Sequence, residues 1–243
     1  LGYGSHNQSL MERLFKLYTQ KDWAAHRDML FVHYRMHEEI AALVKPYYQD
    51  KLRSAKDEQR QPLPASSEPD WLHQRLLWIE CPISDYSFHD PRQVQLIKSL
   101  IAEYEAAGLT KDKALALGIV APYRAMIHAL KQEIAEYTID TVERFQGSER
   151  DIIILCLPFK NESSLKHIQA LSDDGKVDRK LNVAVSRAKE RLVIIGNSIL
   201  MRRARHYAAL YEYIRQHAKI INYTEIGENH GKSPSESAKY QTR

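Results

Sequence analysis

A chain of 243 residues with 44% apolar and 27% charged side chains is long enough to bury one substantial core and has the balance of a soluble globular protein. There is no run of about 18 apolar residues, and the first ten residues lack the basic-then-apolar order of a secretory leader, so no membrane segment is expected. A formal charge of +4 permits an anionic partner without demanding one. Cys81 and Cys156 each lie among apolar residues, which reads as two buried thiols in a reducing cytoplasmic or nuclear compartment rather than a disulfide.

In chain order, Leu10, Met11, Leu14 and Tyr18 recur at helical spacing and predict an amphipathic helix. Met29 to Val32 predicts a short strand, followed by a helix with Ile40, Leu43, Val44 and Tyr47 on one stripe. From Asp50 to Asp70 the chain is polar and holds Pro62, Pro64 and Pro69, as an exposed insertion would. A regular alternation follows. Strands are expected at Leu76–Glu80, Leu117–Ala121, Thr138–Val142, Ile152–Leu157 and Leu192–Ile195. Helices are expected at Arg92–Glu105, Tyr123–Glu136, Leu181–Lys189 and Ser198–His217. Uniformly apolar strands between helices predict an α/β domain with a mostly parallel sheet covered on both faces. From Thr224 the chain is polar and without pattern, as a disordered tail would be.

Three polar segments flank these strands, where α/β sheets usually place ligands. They are His33-Tyr34-Arg35-Met36-His37, Thr141-Val142-Glu143-Arg144-Phe145-Gln146-Gly147-Ser148-Glu149-Arg150-Asp151, and Leu181-Asn182-Val183-Ala184-Val185-Ser186-Arg187-Ala188-Lys189. On a helical wheel Leu181, Ala184, Val185 and Ala188 make one buried stripe, with Arg187 flanking it and pointing outward.

The first segment resembles helicase motif IV in its YRMH form, the second resembles motif V (FQGSE-D), and the third resembles motif VI (LNVA-SRAK). Ala121-Pro122-Tyr123 is similar to the TPY segment between IV and V. Their order looks like the second RecA-like domain of superfamily 1B helicases, the group that includes the RNA helicase of nonsense-mediated decay, over about residues 10–197. The resemblance implies a single RecA-like fold, with residues 1–22 leading from a first motor domain, 23–223 forming the second, and 224–243 a tail. It implies that Arg35 and Arg187 reach the γ-phosphate of ATP, a task suited to a permanently charged guanidinium fork. It further implies adenine stacking by Tyr34, a ribose contact for Glu149, and a turn shaped by Gln146 and Gly147. Thr141, Pro122 and Tyr123 match positions on the backbone of single-stranded DNA or RNA.

Each residue alone also fits a plainer role. Arg35 could pair with Glu38 or Glu39, and Arg187 could be a solvated helix residue. Tyr34 could be a strand-edge aromatic, and Glu149 could pair with Arg150 or another cation. Thr141 could be a strand-edge hydroxyl, Pro122 and Tyr123 could simply start a helix, and Gln146 and Gly147 could only turn a loop. His33 and His37, four apart, lack the third ligand zinc needs, so no metal is expected.

A phosphate-cradling GxxxxGK[ST] loop should follow a strand and open a helix. The nearest match, Gly227-Glu228-Asn229-His230-Gly231-Lys232-Ser233, is one residue short, precedes Pro234, and comes after every other motif. The expectation is that ATP with Mg2+ is gripped mainly by a first RecA-like domain of the same parent chain, and that these residues alone are an inactive half of a helicase. The alternative is a non-catalytic module that kept the fold to bind nucleic acid or protein. Such a module would not need both arginines.

Overall fold

The computed structural model describes residues 28–63, 69–86 and 88–226, together with Leu10, Arg13, Leu14 and Leu17. These four are helical. Met11 and Tyr18 of the first expected helix lie outside the described residues, as do most of the expected tail and the glycine-lysine segment at 227–233.

Eight strands are described: β1 (Val32–His33), β2 (Arg53–Ser54), β3 (Leu76–Glu80), β4 (Leu117–Val120), β5 (Thr138–Asp140), β6 (Arg150–Cys156), β7 (Ala188–Gly196) and β8 (Lys219–Asn222). The helices are α1 (Glu38–Val44), α2 (Pro91–Ala106), α3 (Lys113–Ala116), α4 (Arg124–Glu133), α5 (Glu162–Ile168), α6 (Arg179–Val185), α7 (Ser198–Met201) and α8 (Arg205–His217). Six strands form one sheet in the order β5-β4-β6-β7-β3-β8, and every neighbouring pair is parallel. The expected α/β fold with a parallel sheet flanked by helices is therefore present.

Side chains alternate across a strand, and here both faces are buried, which explains the unbroken apolar runs. Leu76, Trp78, Ile153, Leu155, Leu192 and Ile194 pack on the face covered by α1, α5, α6, α7 and α8. Leu77, Ile79, Ile152, Ile154, Val193 and Ile195 pack on the opposite face under α2 and α4. Asp90 starts α2 by accepting a hydrogen bond from the Arg92 amide at 2.9 Å, with Pro91 in the first turn. Asp178, fully buried, starts α6 by accepting from the amides of Lys180 and Leu181.

Several elements differ from expectation. The apolar run at 29–32 yields only the two-residue β1, which pairs with β2 outside the main sheet and leaves Leu30 87% exposed. The 50–70 segment is exposed at most of its described positions but is anchored by buried Leu52 and Gln59. The Gln59 side-chain amide donates to the Met36 carbonyl at 2.8 Å. The last helix is broken into α7 and α8. The packed region reaches Ile226, past the expected boundary at 223, because β8 adds an edge to β3. This strand, α3 and α5 were not foreseen, being short segments whose order comes from what they pack against.

The expected helix over 181–189 stops at Val185, with Ser186 as its cap. Ala188 belongs to β7 rather than to the helix stripe, because the sheet ladder captures the chain there. The Arg150 amide donates to the Arg187 carbonyl at 3.0 Å, and Arg150 registers with Ala188. Arg187 therefore sits in the tight turn between α6 and β7 and does not point outward from a helix. It is 8% exposed.

Candidate functional site

The three polar segments meet at the amino ends of β6 and β7. Arg35 lies just after β1, Glu149 just before β6 and Arg187 just before β7. Arg35 Nε donates to Glu149 Oε2 at 2.5 Å, and its Nη1 donates to the Ser186 carbonyl at 3.1 Å. Arg187 Nη1 donates to the Ser148 carbonyl at 3.0 Å. The His37 amide donates to the Lys189 carbonyl at 2.8 Å. Each segment is thus tied to both others, and the two guanidinium groups converge on the 148–149 turn, Arg35 reaching across 114 residues of chain to Glu149 and Arg187 across 39 to Ser148.

Arg35 does not pair with Glu38 or Glu39, which face Arg60 and Arg75 instead. The Glu149 carboxylate is paired with Arg35, whereas Arg150 Nη1 donates only to the Glu149 backbone carbonyl at 2.6 Å; Lys189 lies 3.8 Å from the carboxylate while reaching Asp151 at 3.0 Å. Three cations thus face two carboxylates, so the site is net positive. Hydrogen bonding to Arg35 holds the Glu149 carboxyl below its ordinary range, with the charges of Arg35, Lys189 and Arg187 adding to the effect. Burial, and after it the Arg35 charge, lowers Arg187. Arg187 Nε is buried without a hydrogen-bond partner among the described residues, which is spare donor capacity for an anion.

Since the folded carboxyl of Glu149 is depressed, its pair with Arg35 contributes fully above the ordinary glutamate pKa and is lost as pH falls through the lower folded value. An NMR titration of the Glu149 side chain should show a midpoint below that of an unperturbed glutamate, and Arg35→Ala should raise it. A midpoint unmoved by that substitution would break the assignment.

Tyr34, beside Arg35, is 70% exposed. Gln146 and Gly147 are exposed in the same turn, where Gly147 has a φ of +89°. A Cβ there would meet nothing within 4 Å, so the glycine serves the backbone conformation and not close packing. Phe145, 1% exposed, pins this turn to the sheet. Its ring lies so close over Gly118 that a Cβ there would be 2.8 Å away. His33 contacts Gln59 and Ser54, and His37 caps α1 by accepting from the Glu39 amide.

The other expected residues lie elsewhere. Thr141, Pro122 and Tyr123 follow β5 and β4, at the carboxyl end of the sheet. There a cavity of about 250 Å³ is lined by Pro122, Tyr123, Val142, Leu155, Leu181 and Tyr207 among others, with Glu143 and Lys180 paired at 2.8 Å beside it. The placement of all three motifs at the usual ligand edge is therefore corrected: Arg35, Glu149 and Arg187 occupy the amino edge, and Thr141, Pro122 and Tyr123 the carboxyl edge. The 141–149 segment runs from one edge to the other. The sequence reading missed Lys189 and Asp151 as parts of the cationic cluster. Their signal was present in the quoted motifs, but their roles depend on β6 and β7 being neighbours.

Comparison with known proteins adds a family. A family profile described as "AAA domain" matches residues 6–199. The chain belongs to this AAA domain family. It is 27% identical to the DNA-binding protein SMUBP-2 of Rattus norvegicus, over 88% of this chain and 22% of that protein. It is 25% identical to the DNA polymerase alpha-associated DNA helicase A of Saccharomyces cerevisiae, over 80% of this chain and 31% of that protein. The chain therefore spans less than a third of the length of either relative. The C-terminal domain of a possible DNA helicase from Lactobacillus plantarum superposes with a TM-score of 0.43 at 12% identity, covering 78% of this chain and 98% of that one. The family match, together with the two curated relatives, supports a C-terminal domain of superfamily 1 helicase type. Both cysteines of this AAA domain chain are buried and free, and none of its described helices is long and apolar enough to cross a membrane.

Proposed function

We propose that this domain is the second motor domain of an ATP-dependent nucleic-acid helicase, supplying Arg35 and Arg187 to ATP held by a first RecA-like domain of the same parent chain. The observation that carries the reading is the convergence of these two guanidinium groups, from distant segments, on one turn at one edge of the sheet.

ATP with Mg2+, when bound, supplies the phosphoryl group that is transferred to water. The residues of this domain complete the surroundings of that group. Arg187 is already oriented by the Ser148 carbonyl and has a donor to spare, so its charge can meet the γ-phosphate with little reorganisation. A guanidinium in this role contributes roughly 10³–10⁵ in rate by stabilising charge that spreads in the transition state. Arg35 is held by Glu149 and must exchange that carboxylate for phosphate, which frees Glu149 to accept from the ribose. Tyr34 offers an exposed ring to the adenine, and the positive φ of Gly147 shapes the turn with Gln146.

The amino-edge location suits this division of labour. A domain that binds its own nucleotide uses the carboxyl ends of its strands, whereas one that completes a neighbour's site can present another edge. The carboxyl edge, with Thr141, Pro122 and Tyr123, is then free for the backbone of single-stranded DNA or RNA. The 141–149 segment links the two edges physically.

The test is hydrolysis. The pure chain should show essentially no ATPase, whereas a polypeptide that also carries the first motor domain should hydrolyse ATP and do so faster with single strands. Sustained turnover by the chain alone would overturn the division of the site between two domains.

A further inference from the structure

The loop between β3 and α2 displays two aromatic rings to solvent at the carboxyl edge: Phe88 is 60% exposed and Tyr86 46%. A single exposed apolar residue needs no explanation, but Phe88 is not isolated. Its ring stands edge-to-face on Tyr123 at 5.3 Å and 78°, and Tyr123 stands edge-to-face on the buried Phe159 at 6.3 Å and 83°. The ladder is thus rooted in the core and ends in a free aromatic face.

The loop that carries it is knit to the sheet. Buried Ser84 donates from Oγ to the Tyr86 carbonyl at 3.1 Å, and its amide donates to the Phe159 carbonyl at 3.2 Å. Arg92 reaches back to the Ile83 carbonyl at 3.2 Å. A ring held this way faces water with little freedom to fold away.

The charge around it has one sign to spare. The nearby acids Asp85 and Glu162 are taken up by Arg92 at 3.4 Å and Arg203 at 3.6 Å. Arg124 and Lys160, which follow Tyr123 and Phe159 in the chain, are exposed and have no ion pair among the described residues. Fixed aromatic faces, with unpaired cations following two of them in the chain, suit bases and phosphates of a single strand, because every base has a π-face and every linkage a negative charge.

We propose that Phe88 is a stacking platform for a base of single-stranded nucleic acid, with Arg124 and Lys160 meeting the adjoining phosphates. This rests on the nucleic-acid reading of the carboxyl edge and adds to it contact with a base, which none of Thr141, Pro122 and Tyr123 was assigned. Stacking of this kind tolerates any sequence, so the platform would grip a strand without selecting a base.

The test is fluorescence anisotropy with the whole chain, using labelled oligo-dT and an abasic oligonucleotide of equal length. Phe88→Ala should weaken oligo-dT binding about tenfold, leave abasic binding unchanged, and leave the salt dependence unaltered. Phe88→Trp should retain the affinity of the unsubstituted chain. Arg124→Ala with Lys160→Ala should flatten the plot of log affinity against log salt by about 0.7 for each phosphate that is no longer neutralised. If Phe88→Ala binds oligo-dT as the unsubstituted chain does, the platform is overturned while the nucleic-acid edge stands, and the rings become a surface for a protein. If the unsubstituted chain binds neither oligonucleotide, the nucleic-acid reading of this edge fails and the platform falls with it.

Discussion

Arg187→Ala, made in a polypeptide that carries both motor domains, is expected to leave ATP affinity within a few-fold and to depress kcat at least about a hundredfold. The asymmetry follows from where the guanidinium acts. Charge that develops only as the phosphoryl group leaves is stabilised in the transition state and not in the bound complex. The preorganisation is visible in the hydrogen bond to the Ser148 carbonyl and in the 8% exposure of the residue. Arg187→Lys should recover only part of the loss, since an ammonium keeps the charge but not the planar fork. Because Arg187 is buried, a merely structural role would lower stability and nucleotide affinity together. Thermal unfolding measured beside steady-state kinetics separates the two. An unchanged kcat would remove Arg187 from the site.

Phe145→Ala is expected to cost about 3–5 kcal/mol of folding stability. For a domain of this size that corresponds to a fall in Tm of roughly 6–20 °C. The ring is 1% exposed, and it closes over Gly118 where no side chain would fit. The Arg150 guanidinium lies over the Phe145 ring, 5.9 Å from its centroid. The same ring fixes the turn that carries Gln146, Gly147, Ser148 and Glu149, so the pair between Arg35 and Glu149 should loosen as well. Phe145→Leu should lose much less, because most of the apolar volume remains. Urea unfolding of the three forms measures this. A loss below about 1 kcal/mol for the alanine form would mean that the turn is held by its hydrogen bonds alone.

The fold was legible where its signal was local and repeated. The strands at 76–80, 117–120 and 150–156 announce themselves through the apolar runs 76–79, 117–120 and 152–156, because the part of a strand buried on both faces has no polar side to show. The helix at 91–106 announces itself through the apolar stripe of Ile97, Leu100, Ile101 and Tyr104. The edge strand at 219–222, with Lys219 and Asn222 at its ends, carries too little pattern. It exists because β3 offers it a ladder.

The sequence by itself determined the residue types of the site and their order: two arginines, a glutamate and a turn glycine in three motifs, all covalently local features. Only the tertiary structure decided which of them meet. Nothing local says that Arg35 pairs with Glu149 rather than Glu38 or Glu39, because that choice depends on β6 and β7 lying side by side. Nothing local says that the helix before Arg187 ends at Val185, because the competing hydrogen bonds come from another strand. The division of the motifs between the two ends of the sheet has the same origin. A parallel sheet sends each strand's start and finish to opposite edges, and residues adjacent in one motif can therefore serve surfaces that face apart.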